Sequence, residues 1–166
     1  MEIKTPEKES EYKPVVDESG KVVLKKRSKI SKGKKAKAAG GQFEVRVRKD
    51  LEKKGFVVDK WSNNIDLETN KIISAKRKFN PFSKVMAIGT GFPDFVGFQK
   101  RDDGNYRVIG IEVKTNGTLS KVEKEKCRVY LEKKTFSELW IASKQKIKNR
   151  VSVVYTDVDE ILSRMR

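Results

Sequence analysis

The apolar residues of this chain fall into short runs with two different periods, and the order of these runs limits the fold most. Phe43, Val47 and Leu51 recur every four residues and Gly55 follows them, a pattern that predicts an amphipathic helix with a glycine stop. Beyond this helix lie runs typical of β-strands, at residues 56–61, 92–98, 107–114, 138–143 and 151–155.

Two further helices are indicated by capping-box patterns. Ser120 with Glu123 predicts one helix, and Asp157 with Glu160 predicts a short last one. The order of elements is then α-β-β-β-α-β-β-α, in which the second and third strands suit a hairpin. This order predicts an α/β sandwich with a central mixed sheet flanked by helices.

Residues 1–40 have a different composition. Few of them are large and apolar, and their second half contains nine basic residues and no acid. Since like charges repel, we expect residues 1–40 to form a basic flexible tail, with a weak hairpin signal at Ser19-Gly20. Gly40-Gly41 should break the chain before a domain of residues 41–166. The tail suits electrostatic contact with phosphates, and equally a solvated segment or a localisation signal.

The chain has no histidine and a single cysteine, Cys127. These counts exclude an internal disulfide, a structural zinc site, a cysteine-ligated iron–sulfur cluster and every histidine-based triad. Catalysis must depend on carboxylates, Lys, Tyr or a metal bound by oxygen atoms, and no organic cofactor is indicated. Because the sequence shows neither a signal peptide nor a membrane-spanning run, we expect an intracellular protein with no membrane partner.

The chain is strongly basic. Lys and Arg number 39 against 23 Asp and Glu, a formal net charge of +16. Such an excess indicates a polyanionic partner, with nucleic acid as the first candidate and an acidic membrane surface as the second. A Lys- and Glu-rich composition is also typical of thermophiles, which allows an archaeal or viral source.

Three residues form the candidate catalytic set: Asp94 in FPDF, and Glu112 with Lys114 in GIEVK. Side chains alternate along a strand, so Glu112 and Lys114 point the same way, while Ile111 and Val113 point into the other layer. If the two strands pair as a hairpin, Asp94 lies beside them. Both carboxyl groups occur in apolar runs, where an unpaired charge is costly.

Two carboxylates on one face suit a hard cation such as Mg²⁺, which prefers oxygen ligands and keeps several waters. Such a metal activates a water and neutralises charge on a phosphate under attack, and a neighbouring Lys can orient that water. The alternative interpretation is a surface salt bridge, because an E-x-K pair on a strand is common.

The PD that ends at Asp94, a spacer of 17 residues and the EVK that begins at Glu112 resemble the motif of the PD-(D/E)XK nuclease superfamily. The resemblance covers about residues 41–143 and implies a restriction-endonuclease-like fold that binds DNA. It also implies that Asp94 and Glu112 bind Mg²⁺ or Mn²⁺, that Lys114 positions the attacking water, and that Glu44 assists at the metal.

Two branches of that superfamily share further patterns. EVKTNGTLSKVEKEKCRVYLEK resembles the virus-type replication-repair nuclease (VRR-NUC) domain, and GGQFEVRVRKDLEKKGF resembles the start of archaeal Holliday-junction resolvases. Many relatives of the first branch have Gln where Glu123 stands, which leaves the role of that helix open. Symmetric cutting of a junction would require a two-fold homodimer, which the sequence itself does not show.

A basic and aromatic segment lies within residues 62–91, which the sequence predicts to be a long loop. Its cations would meet phosphates, and Phe79 and Phe82 would stack on bases or wedge a junction; alternatively, the two rings fill a gap in the core. The predicted nucleic-acid-binding residues are Lys34, Lys35, Lys37, Lys76, Arg77, Lys78, Phe79, Phe82 and Lys121. Four more cations either lie in a solvated loop or extend this surface: Lys144, Lys146, Lys148 and Arg150.

Three functions are compatible with these patterns. The first is a metal-dependent DNA endonuclease selective for branched DNA such as junctions or flaps, as repair and recombination require. The second is an exonuclease or site-specific nuclease of the same fold. The third is a non-catalytic nucleic-acid-binding protein that uses the fold as a scaffold. The intact set of Asp94, Glu112 and Lys114 favours the nucleases.

Overall fold

A computed structural model of the chain describes residues 11–17, 21–75, 77–80, 85–88, 91–148 and 150–163. The chain divides into two compact units, Met1–Gln42 and Phe43–Arg166. None of the described helices is long and apolar enough to cross a membrane.

The described part of the first unit contains two paired strands. Strand β1 (Tyr12–Val16) pairs antiparallel with β2 (Val22–Lys26), where the sequence gives a weak hairpin signal. Helix α1 (Arg27–Lys53) follows directly. A helix therefore stands from Arg27 onward where the sequence predicts a flexible tail, and this helix continues through Gly40-Gly41, where the sequence predicts a break.

The composition around the two glycines explains why the helix continues. Each glycine in a helix interior costs about 1 kcal/mol relative to alanine. The residues just before Gly40 are Ala and Lys, which are strong helix formers, and Phe43 begins the buried stripe of the same helix. Because helix propagation is cooperative, these favourable neighbours offset two unfavourable positions.

The second unit is an α/β structure built on a five-stranded mixed sheet, with the strand order β11-β10-β9-β8-β3. Its elements after α1 are β3 (Val57–Lys60), β4 (Asn63–Asp66), β5 (Lys71–Ser74), β6 (Arg77–Asn80), β7 (Val85–Ile88), β8 (Phe95–Lys100), β9 (Tyr106–Val113), α2 (Lys121–Glu132), β10 (Glu138–Ile147), β11 (Arg150–Asp157) and α3 (Val158–Ser163).

The helices and the sheet strands follow the order that the sequence predicts. Strands β8 and β9 form the expected antiparallel hairpin, and α2 connects β9 to β10, which run parallel. Helix α2 begins after Ser120 with both hydrogen bonds of the predicted capping box. The predicted α/β class with a mixed sheet is confirmed.

Apolar side chains cover both faces of the sheet. On one face the α1 stripe of Phe43, Val47 and Leu51 is buried in a cluster with Ile109 and Ile111. On the other face the cluster joins residues of α2 to alternate residues of β10, among them Cys127, Tyr130, Leu139 and Ile141. Because side chains alternate along a strand, both faces of the sheet are apolar and each one packs against a helix.

Residues 62–91 differ from the predicted long loop. Two small antiparallel hairpins occur there, one of β4 with β5 and one of β6 with β7. Each strand has four residues, and β5 is exposed along its whole length. Such short strands have no sustained alternation of apolar and polar residues, which is why the sequence pattern did not predict them.

Candidate active site

Asp94 and Glu112 lie side by side where β8 begins and β9 ends. The register pairs Phe95 with Ile111, so Asp94 is opposite Glu112 one step further along. The Oδ2 atom of Asp94 accepts a hydrogen bond of 2.9 Å from the backbone N–H of Val113. Glu112 is the buried charged residue of the described core, with 6% of its surface exposed. The predicted proximity of the two carboxyl groups is confirmed.

Because side chains alternate along β9, the residues of the candidate site and those of the α1-face cluster lie on opposite faces of the strand. Ile111 and Val113 belong to the cluster on the α1 face of the sheet. Glu112 and Lys114 point to the opposite face, where the Nζ atom of Lys114 lies 2.9 Å from Oε1 of Glu112. This division agrees with the prediction from the sequence.

Glu123 is a second partner of Lys114. Its Oε1 atom lies 2.6 Å from Lys114 Nζ, and its Oε2 atom accepts a hydrogen bond of 2.7 Å from the backbone N–H of Ser120. One side chain thus caps α2 and holds the lysine at the site. The capping-box pattern was visible in the sequence, but it gave no sign of the ion pair with Lys114.

Glu44 lies next to the buried Phe43 on α1 and is half-buried. Its Oε2 atom is 2.5 Å from Nζ of Lys60 on β3, and that ammonium lies 4.4 Å from the ring centroid of Phe95. Burial raises the pKa of Asp94 most and the field of the Glu44 carboxylate adds to the rise, so Glu44 belongs to the same electrostatic cluster. Sequence reasoning missed Lys60 because its position depends on the pairing of β3 with β8.

Burial sets the charge state of the site. It raises the pKa of Glu112 to about 7, and the neighbouring Asp94 carboxylate adds to the rise. The pKa of Asp94 is also raised, by burial first and then by Glu44, against the hydrogen bond from Val113. For Lys114, burial works to lower the pKa, but hydrogen bonds to Glu123 and Glu112 raise it above its usual value.

The donor set fits a hard divalent cation. Asp94, Glu112 and Glu123 are three carboxylates around one ammonium, Lys114, so the ionised cluster keeps an excess of negative charge. Burial raises the pKa of Glu112 most and repulsion from Asp94 adds to the rise, and a bound cation would offset both. Mg²⁺ needs one or two protein carboxylates and completes its shell with waters and phosphate oxygens.

The carboxylates of the site do not themselves form a three-ligand cage. In the described part of the chain, no group of three or more His, Cys, Asp or Glu residues is arranged to hold a metal ion. Three of the carboxylates are engaged in ion pairs, Glu112 and Glu123 with Lys114 and Glu44 with Lys60. Asp94 and Glu112 are the oxygen donors that fit a metal best, and Glu44 is engaged elsewhere.

The predicted nucleic-acid-binding residues are spread over the chain. Lys121 is exposed at the first residue of α2. Exposed positions on α1 in the first unit are occupied by Lys34, Lys35 and Lys37. Lys76 and Phe82 lie outside the described residues, and only the backbone strand is described for Arg77, Lys78 and Phe79.

Comparison with known proteins gave no match, whether with protein-family models, curated proteins or solved structures.

Glu112→Gln is expected to stabilise the metal-free protein at alkaline pH. The pKa of Glu112 is about 7 in the folded chain and 4.5 as the reference for an exposed glutamate. Between these values the unfolded chain loses its proton first, so the stability of the native protein falls as the pH rises. Above pH 7 the full penalty applies, about 3 kcal/mol, and Gln does not carry it.

Urea denaturation in EDTA at pH 5 and pH 8 measures this effect. The gain of Glu112→Gln over the native sequence should be small at pH 5 and large at pH 8. Glu125→Gln, which removes an exposed carboxylate of α2, should show no such pH-dependent gain. A gain that is equal at both pH values would mean that Glu112 does not bear a burial penalty.

Proposed function

We propose that the protein is a divalent-metal-dependent deoxyribonuclease, an endonuclease that hydrolyses phosphodiester bonds in branched DNA. The observation that carries the proposal is the nearly complete burial of Glu112 directly opposite Asp94, with Lys114 beside it. Two carboxylates that repel each other in a buried place are unfavourable for stability, and they are the ligands that Mg²⁺ prefers.

A purely structural ion-pair cluster is the weaker interpretation. Lys114 makes ion pairs with Glu112 and Glu123, so a single ammonium faces more negative charge than it neutralises. Asp94 contributes to the repulsion at Glu112. Stability would be served better by an apolar or amide side chain at either position, because buried charges are favourable only when they are fully paired.

Each residue has a distinct role in the proposed reaction. Asp94 and Glu112 would bind Mg²⁺ or Mn²⁺. When bound, such an ion supplies an activated water and neutralises charge on the attacked phosphate. Lys114 stays protonated at neutral pH because its pKa is raised, so it donates hydrogen bonds to the phosphate or the water and does not act as a base.

The finer parts of the proposal rest on the family resemblance. The mixed sheet with the β9-α2-β10 connection is compatible with a restriction-endonuclease-like fold of the PD-(D/E)XK type. The preference for branched DNA follows from the similarity of the α1 segment to archaeal Holliday-junction resolvases. Symmetric cutting of a junction would require a two-fold homodimer. A substrate of cellular or viral DNA implies an intracellular location.

Mg²⁺ is expected to stabilise the native protein through Glu112. At a concentration one hundred times its dissociation constant, a ligand that binds only the folded state adds about 2.7 kcal/mol. Urea denaturation at pH 8 with and without Mg²⁺ should show a gain for the native sequence and for Glu125→Gln. The gain should disappear in Glu112→Gln. Equal gains in all three proteins would place the ion elsewhere and would remove the main support for the proposal.

A further inference from the structure

Strands β10 and β11 continue beyond the apolar part of the sheet. Residues Lys144–Lys148, with Arg150–Ser152, form a two-stranded segment that we call the basic arm. The register pairs Gln145 with Ser152 and Ile147 with Arg150. Every residue from Lys144 to Lys148, and Arg150 as well, is exposed. Val151 packs against the cluster on the α1 face, and the rest of the arm contributes little to the core.

The basic arm begins at the end of the sheet where the candidate active site lies. Strands β9 and β10 are parallel, and the backbone N–H of Lys114 donates to the carbonyl of Ala142 at 2.9 Å. Two residues later, the N–H of Lys144 donates to the carbonyl of Thr115 at 3.3 Å. From Gln145 onward, β10 pairs only with β11 within the described residues. Three residues of strand extend about 10 Å.

The charge of the arm has one sign. Between Glu138 and Asp157 the sequence contains no acidic residue. None of the arm's cations forms an ion pair with another described residue. These cations are Lys144, Lys146, Lys148 and Arg150. Unpaired like charges on one short hairpin repel each other, so a polyanion is the partner that they suit.

The register distributes the cations over both faces of the arm. Lys144 and Lys146 are two residues apart on β10, so both lie on one face of the arm. Arg150 is paired with Ile147, so it lies on the other face. A two-stranded ribbon fits into the major groove of B-form DNA. Phosphates line both sides of that groove, and cations on both faces of a ribbon can reach the two sides.

We propose that the basic arm enters the major groove of the DNA duplex next to the phosphate that is cut. This inference rests on the proposed nuclease function, because it makes the arm a part of substrate binding. The A-form RNA duplex has a major groove too deep and narrow for side chains to read. The arm therefore selects a DNA duplex over an RNA duplex.

The test compares two variants that lose the same charge. The arm variant replaces Lys144, Lys146, Lys148 and Arg150 with Gln. The control variant replaces Lys100, Arg101, Lys133 and Lys134 with Gln; these residues are exposed and lie at the β8–β9 turn and just after α2. All eight side chains are exposed, so thermal unfolding should show both variants folded. Binding to a labelled DNA duplex and an RNA duplex of the same sequence is measured in EDTA over a range of salt.

The arm variant is expected to bind the DNA duplex at least about tenfold more weakly, with a salt dependence reduced by about three to four counterions. The control variant should lose less than about threefold, and the two variants should bind the RNA duplex alike. Equal losses of both variants on DNA would overturn the proposal, since net charge alone would explain them. A loss by the arm variant that is as large on RNA as on DNA would overturn groove entry.

The same proteins separate this inference from the proposed function. If the native protein cuts DNA with Mg²⁺ and the arm variant binds DNA as the native protein does, the arm inference is wrong and the nuclease proposal stands. If the native protein binds DNA through the arm and does not cut it with any divalent metal, the nuclease proposal is wrong, and only the entry of the arm into the major groove stands.

Discussion

Asp94→Asn is expected to reduce the rate of DNA cleavage on the order of 10³-fold, the loss typical when a group that stabilises charge in the transition state is removed. Asn keeps an oxygen that can accept the hydrogen bond from the Val113 N–H, so β8 and β9 should stay in register. What the substitution removes is one of the two anionic oxygen ligands. It also removes the charge that helps to raise the pKa of Glu112.

Single-turnover cleavage of a labelled substrate with Mg²⁺ measures this loss, and thermal unfolding checks that the variant is folded. Asp103→Asn is the matched control, because Asp103 lies exposed in the turn between β8 and β9, far along both strands from the site. Its activity should equal that of the native protein. Native activity in Asp94→Asn would show that Asp94 is not a ligand of the catalytic metal.

Gly91→Ala is expected to destabilise the protein by about 3 kcal/mol, the upper range for overpacking, and to abolish cleavage. A Cβ atom at Gly91 would lie 2.1 Å from the carbonyl oxygen of Trp61 and 2.7 Å from that of Asn63. Both are backbone atoms, so no flexible side chain can move aside. The carbonyl of Asn63 also accepts the N–H of Phe92, and the N–H of Trp61 donates to the carbonyl of Asp94. The substitution therefore displaces the segment that carries Asp94.

Denaturation by urea and single-turnover cleavage together measure the effect at Gly91. Gly33→Ala provides the comparison, since a Cβ there meets nothing within 4 Å inside α1. A helical Gly-to-Ala change at such a place is expected to stabilise by up to about 1 kcal/mol. Unchanged stability in Gly91→Ala would contradict the close backbone packing beside Asp94.

The parts of the fold that follow from local patterns were predicted from the sequence. The four-residue spacing of Phe43, Val47 and Leu51 identified the buried face of α1. The capping box at Ser120 located the start of α2. Alternation along β9 placed Glu112 and Lys114 on one face, because side chains two apart on a strand point the same way.

The parts that depend on distant partners were not predicted. Lys60 reaches Glu44 because β3 pairs with β8, a contact that no local pattern reports. Strand β10 was predicted to end at Ser143 but continues to Ile147. Its last residues are exposed and held by backbone pairing with β11, so they have no apolar alternation from which a strand could be predicted.

The most direct test of the central claim is a cleavage assay on the native protein with labelled four-way junction, flap, single-stranded and blunt duplex DNA. Each substrate is incubated with Mg²⁺, Mn²⁺ or EDTA, with Asp94→Asn as the reference variant. We expect cutting only with Mg²⁺ or Mn²⁺, fastest on a branched substrate and about 10³-fold slower in the variant. Binding of these substrates without cutting in any metal would contradict the account and would identify a nucleic-acid-binding protein that is not a nuclease.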